Sequence, residues 1–186
     1  MTITKLKKTA KELRKIIFEV YLKRGGHLST SFSCIEILTA LHFAKFIKLN
    51  KNNYFKKNRD VLIISKGHSD LSYYCLLYYL KIINKKTLFN LNKNIVLGGH
   101  LDHKVPGVEL TTGSLGHGLG FAAGISLVEK NKNKKLKQYV LMGDAECAGT
   151  VGSNGSFRRR RTEDADCWTH CTTQSIVDDG LFESTS

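Results

Sequence analysis

Gly98-Gly99-His100-Leu101-Asp102-His103-Lys104-Val105-Pro106-Gly107-Val108-Glu109-Leu110-Thr111-Thr112-Gly113-Ser114-Leu115-Gly116-His117-Gly118-Leu119-Gly120-Phe121-Ala122-Ala123-Gly124 is the stretch around which this chain is organised. It holds half of the sixteen glycines, the one proline and three of the seven histidines. Glycine lets backbone come close to a ligand and leaves N–H groups unshielded. Beyond Gly116 the residues turn small and apolar, the pattern of the first turns of a buried helix. A glycine loop that feeds a helix N-terminus suits an anion. The stretch therefore predicts a site for a phosphorylated ligand, with histidines around it.

Working outward, two short apolar runs predict strands. Asp60-Val61-Leu62-Ile63-Ile64-Ser65 and Gln138-Tyr139-Val140-Leu141-Met142 lie between polar flanks, the signature of buried parallel strands. The first leads into Ser65-Lys66-Gly67-His68 and a helix over 69–80; the second ends in Gly143-Asp144. Strand, glycine loop and helix make a βα unit, and ligands collect at the carboxyl ends of such strands. Apolar residues at helical spacing predict further helices over 4–24, 33–46 and 118–129. His27 to Ser31 reads as a loop, with one of its hydroxyls capping the helix that follows. The fold class is α/β, a parallel sheet flanked by helices.

Composition narrows the function. The chain has 186 residues, enough for one domain, and 41% of them are hydrophobic. No run approaches the ~18 apolar residues needed to cross a bilayer. Met1 to Lys8 lacks an apolar signal core, which predicts a cytoplasmic protein and no membrane partner. The net charge of +13 permits nucleic-acid binding, but no aromatics interleave the lysine clusters. Those clusters read as solvated surface that attracts phosphorylated substrates, and nucleic acid is not an expected partner. Cys34 and Cys75 read as buried thiols, and Cys167 to Cys171 lacks the second cluster that a zinc site needs. His42 sits on a helix and reads as structural. His103 and His117 stay open between surface and site roles.

Asp144 follows a buried strand, where a carboxylate serves either as a Mg²⁺ ligand or as a helix cap. Its company favours the metal. Gly26-His27-Leu28-Ser29, Ser65-Lys66-Gly67-His68, Gly99-His100, Pro106-Gly107-Val108-Glu109, Thr111 to Gly118 and Gly143-Asp144 occur in one order over residues 5–149. Together they resemble the diphosphate-binding half of transketolase, and the ordered set is specific where each motif alone is weak. Transketolase is a thiamine-diphosphate enzyme that moves two-carbon ketol units between sugar phosphates.

The resemblance implies the thiamine-diphosphate-binding fold, here incomplete, with residues 1–149 as the diphosphate-binding domain. It implies thiamine diphosphate with Mg²⁺ (or Ca²⁺ or Mn²⁺) as cofactors. It places His68, Gly113, Ser114, Leu115, Gly116, His117, Gly143, Asp144 and Ala145 at the cofactor, and His27 and His100 as catalytic histidines on the substrate channel. Asp144 matches the first metal ligand, and Asp179 is the one candidate for a second. The chain matches the N-terminal subunit of a split transketolase. Its partner would be a C-terminal subunit carrying the pyrimidine-binding and C-terminal domains, in a hetero-oligomer built on a dimer. This chain alone is expected to be inactive.

After residue 149 the match breaks. The family's second Glu and its Trp-Glu-Ala helix have no counterpart in Glu146-Cys147-Ala148-Gly149-Thr150-Val151-Gly152, and Val177-Asp178-Asp179-Gly180-Leu181 lacks the family's Asn. Residues 150–186 read as an aberrant or disordered tail. A shift of reading frame is one explanation, since one set of codons for residues 151–157 reads Trp-Glu-Ala-Met-Ala-Leu one base later. Three readings stand beside the split transketolase: deoxyxylulose-phosphate synthase, an inactive or truncated remnant, and a basic nucleic-acid binder.

Overall fold

The computed structural model describes residues 2–56, 58–90, 97–132 and 136–148. The predicted tail over 150–186, Asp179 and the Cys167 to Cys171 cluster lie outside the described residues, as does the centre of the charged turn between the last long helix and the second strand.

The first helix, α1 (Ile3–Arg24), is amphipathic. Leu13, Ile17 and Val20 are fully buried, each contributing about 2 kcal/mol relative to exposure. The lysines lie on its other side. Gly25 ends it, its N–H bonding to the Tyr21 carbonyl at 2.8 Å.

The next segment departs from the sequence reading. Of the predicted loop over His27 to Ser31 only His27 is loop: α2 (Leu28–Phe32) occupies the rest, and α3 (Ile35–Phe43) is shorter than predicted. No hydroxyl caps α3, whose preceding residue is Cys34. The hydroxyls bond elsewhere. Ser33 Oγ donates to the Thr30 carbonyl (2.8 Å) and Thr30 Oγ1 to the His68 carbonyl (2.6 Å). Lys45, at φ 69°, closes α3 early. Hydroxyl side chains commonly find backbone partners other than a cap.

The strands β1 (Val61–Ile64) and β2 (Gln138–Leu141) pair in parallel, Val61 opposite Gln138 through Ile64 opposite Leu141. Successive side chains alternate between faces. Leu62, Ile64, Tyr139 and Leu141 join the large core with α1, α3 and α4 (Asp70–Tyr79). Ile63 and Val140 pack on the other face with Ala122 and Met142 beneath α6 (His117–Asn131). The sheet is thus covered on both sides, which explains why its strands read as continuous apolar runs. A single 3₁₀ turn (Gly67–Ser69) joins β1 to α4. Two short helices complete the order, α5 (Lys85–Leu88) and α7 (Asp144–Ala148). Among the described residues no helix is long and apolar enough to cross a membrane.

Cys34 and Cys75 are buried free thiols, as predicted, and burial pushes the Cys75 thiol well above its ordinary range. His42 is structural. It is buried in α3, its Nδ1 2.9 Å from the Leu38 carbonyl, while Nε2 has no hydrogen-bond partner among the described residues. Burial pushes its pKa down to about 4. The unfolded chain therefore binds this proton near pH 6.5, and the folded chain does so only near pH 4. The stabilisation is complete above pH ~6.5 and is lost as pH falls towards ~4. Wild type should lose about 2 kcal/mol from pH 7 to pH 5 that His42→Leu does not lose. Urea denaturation of both chains at the two pH values measures this difference.

Candidate active site

Three loops converge at the carboxyl ends of the strands. His27 follows α1, His68 lies in the turn after β1, and His100 comes from the glycine stretch. Their ring centroids are 4.6 Å (His27 to His68), 5.0 Å (His68 to His100) and 5.9 Å (His27 to His100) apart. Sequence separation gives no hint of this closeness. It follows from how the three loops are pinned. Thr30 Oγ1 holds the His68 carbonyl, and Tyr74, buried on α4, donates its hydroxyl to the His100 carbonyl at 2.9 Å. The Tyr74 hydroxyl also accepts the Asp102 N–H at 3.2 Å.

Glycines make room for the cluster. A Cβ on Gly67 would stand 2.7 Å from His100 Cδ2 and 3.1 Å from Gly113 Cα. Gly113 itself has φ 151°, and a Cβ there would press on the same imidazole at 3.3 Å. Past this point Ser114 and Leu115 are exposed, Gly116 is buried, and α6 begins at His117. The structure thus brings His68, Gly113 and His100 together. His117 is set apart in character: its ring meets Phe121 edge-on at 5.3 Å, in a mostly apolar hollow lined also by Gly120, Gly124, Ile125, Val128 and Glu129. His103 is a surface residue, its Nδ1 2.6 Å from Thr111 Oγ1.

Asp144 and Ala145 are exposed at the first turn of α7, directly after β2. Among the described residues no three His, Cys, Asp or Glu side chains cluster to hold a metal. Asp144 is one hard oxygen donor, of the kind Mg²⁺ takes.

Sequence reasoning missed Glu146 as a site-building residue. Its carboxylate is buried and accepts three hydrogen bonds. Ser65 Oγ (2.5 Å) and Gly116 N (3.0 Å) donate to Oε1, and Gly143 N (2.8 Å) donates to Oε2. One side chain therefore ties the ends of both strands to the glycine loop. Ser65 Oγ in turn accepts the Gly118 N–H at 3.1 Å. A signal was available in Gly143-Asp144-Ala145-Glu146. A Glu at the third helical position that reaches back to the residue before the helix is half of a capping box.

Behind His27 lies a buried ion pair. The Asp70 side chain is fully buried, 3.3 Å from His27 Nδ1 and 3.7 Å from Arg24 Nη2. Burial pushes the Asp70 carboxyl above the usual carboxylate range, and His27 and Arg24 partly offset this. Burial likewise lowers Arg24, which Asp70 partly offsets.

Histidines, a glycine loop and a carboxylate thus lie at the carboxyl edge of a parallel sheet, where ligands of such sheets collect. Residues 6–153 match the family model described as "Transketolase, thiamine diphosphate binding domain", and the chain belongs to that family. It is 37% identical over 158 residues to one subunit of the apulose-4-phosphate transketolase of Actinobacillus succinogenes, covering 83% of this chain and 56% of that protein. It is 33% identical over 144 residues to the 6-deoxy-6-sulfo-D-fructose transketolase subunit SqwG of a Clostridium species, covering 76% of this chain and 52% of that one. The fold superposes on Campylobacter jejuni transketolase with a TM-score of 0.71 at 28% identity, over 81% of this chain and 25% of that one. The chain therefore spans about half the length of these two subunits and a quarter of that transketolase chain.

Proposed function

We propose that this chain is the diphosphate-binding subunit of a thiamine-diphosphate-dependent transketolase. With a C-terminal partner subunit it takes a two-carbon ketol unit from a ketose phosphate to an aldose phosphate, chemistry of the pentose phosphate type. The observation that carries this reading is the convergence of His27, His68, His100 and Gly113 at one edge of the sheet. The relatives named as subunits of transketolases support the two-subunit form.

The residues fit the cofactor's diphosphate. Gly67 and Gly113 let the His100 imidazole lie directly against their backbone, where a Cβ would overlap it, with His68 beside that ring, and Ser114 and Leu115, which follow Gly113, are exposed to a ligand. Asp144 would give Mg²⁺ one oxygen, with Ala145 beside it; the second ligand expected at Asp179 lies outside the described residues. When bound, thiamine diphosphate supplies the carbanion chemistry of C–C cleavage and formation. His27 and His100 then exchange protons with substrate hydroxyls, work that a neutral imidazole performs near pH 7. Gly116 and Gly143 act through loop shape, because their N–H groups already bond to Glu146. His117 opens α6 directly after the loop, with its ring against Phe121.

Asp144→Ala should weaken thiamine diphosphate binding in Mg²⁺ by at least about 100-fold while leaving the fold intact. Titration calorimetry on the chain with its partner subunit reads this directly, and unchanged affinity would remove Asp144 from the metal site. The chain alone should transfer no ketol units; turnover by the purified chain alone would sink the two-subunit reading.

A further inference from the structure

The sequence reading gave Asp70 no role, and its environment needs one. It is the first residue of α4, and a carboxylate at a helix N-terminus is favourable. Such carboxylates normally sit in water, whereas this one is fully buried with Leu71, Ser72, Tyr73 and Tyr74 following it in the core. A buried charge requires partners. Among the described residues Oδ2 has no hydrogen-bond partner and lies 3.7 Å from the Arg24 guanidinium, and Oδ1 has His27 Nδ1 at 3.3 Å.

Arg24 is fixed in its turn. Nη2 donates to the Gly98 carbonyl at 3.2 Å and Nη1 to the Leu88 carbonyl at 3.4 Å, and the guanidinium lies over the Tyr74 ring at 5.7 Å. The same Tyr74 anchors His100. The charged and titratable groups around the Arg24, Asp70 and His27 cluster are thus Tyr74 and Cys75 from α4, His68 from the 3₁₀ turn and His100 from the glycine stretch. Only Asp70 offers His27 an acceptor oxygen among these contacts.

We propose that Asp70 is a positioning residue, whose buried carboxylate, held by Arg24, accepts the Nδ1–H of His27 and fixes that ring in the tautomer that leaves Nε2 as the proton acceptor. A histidine nitrogen's role is set by the hydrogen bond its other nitrogen makes. An imidazole so held presents one nitrogen in one orientation and keeps its basic lone pair for substrate. The inference rests on the proposed role of His27 in ketol transfer, but the pairing itself can be tested without turnover.

The test is the tautomer of His27, read from ¹⁵N ring shifts of the full-length chain at pH ~8.5, above the ordinary imidazole range. Wild type should show protonated Nδ1 and unprotonated Nε2. Asp70→Leu should shift the ring towards the Nε2–H form usual for free histidine. Asp70→Asn, which keeps an oxygen acceptor, should restore most of the Nδ1–H form. In the enzyme reconstituted with its partner, Asp70→Leu should lower kcat about ten- to 100-fold with little change in KM, and Asp70→Asn should recover most of it. Wild type with an Nε2–H ring overturns the proposal whether or not the Leu variant folds. A tautomer change in Asp70→Leu without loss of kcat upholds the pairing and instead overturns the catalytic role of His27.

Discussion

Glu146→Ala should destabilise this chain by about 4 kcal/mol. The carboxylate satisfies two buried backbone N–H groups, on Gly116 and Gly143, and the Ser65 hydroxyl. Each buried donor left without a partner costs about 1–3 kcal/mol, and three are left at once. The loss is smaller than the full sum because the Ser65 hydroxyl can rotate and because burying the Glu146 side chain itself costs solvation. Glu146→Gln should cost roughly half as much. One amide oxygen still serves Ser65 and Gly116, while the NH₂ group faces the Gly143 N–H. Guanidinium denaturation of the three chains measures both values. A loss below ~1 kcal/mol in Glu146→Ala would show that the three donors find water instead.

Gly118→Ala should cost about 3 kcal/mol. An added Cβ would stand 2.5 Å from Ser65 Cβ, 2.8 Å from Ser65 Oγ and 3.0 Å from Ile63 Cγ2. None of these is the far end of a flexible chain, so α6 must move off the sheet. Overpacking of this kind costs about 1–3 kcal/mol, and the Gly118 N–H to Ser65 bond, worth about 1 kcal/mol, is strained with it. Alanine's better helix propensity returns less than about 1 kcal/mol. Because Ser65 also holds Glu146, this substitution and Glu146→Ala share a network, and the double variant should lose less than the sum. Gly120→Ala is the control: among the described residues nothing lies within 4 Å of its would-be Cβ, and it should be at least as stable as wild type, gaining up to about 1 kcal/mol from alanine's helix propensity. Thermal denaturation of the two single variants side by side decides the point.

These effects fall at the junction of loop and sheet, and that junction shows where sequence reading stopped. The strands were legible because each is buried on both faces: Leu62 and Ile64 turn one way and Ile63 the other, so every position must be apolar. The long helices were legible from their periodicity and glycine ends. The stretch after His27 was misread, because its hydroxyls suggested a loop and a cap. In the folded chain those hydroxyls bond to backbone, including the His68 carbonyl, and the segment is free to wind into α2. No local rule reports a partner 38 residues away.

By itself, the sequence determined the order of the pieces and the type of chemistry. The motif set named the diphosphate-binding fold, and the residue types, imidazoles, glycines and a strand-end carboxylate, suited a phosphorylated cofactor. Only the tertiary structure decided which side chains meet. It set His27, His68 and His100 within 6 Å of one another, buried Asp70 between His27 and Arg24, and turned Glu146 from a motif letter into the tie between two strands and the glycine loop. The physical reason is range. Periodicity and turn chemistry act over a few residues along the chain, whereas a buried carboxylate finds its donors through space, 30 and 81 residues away.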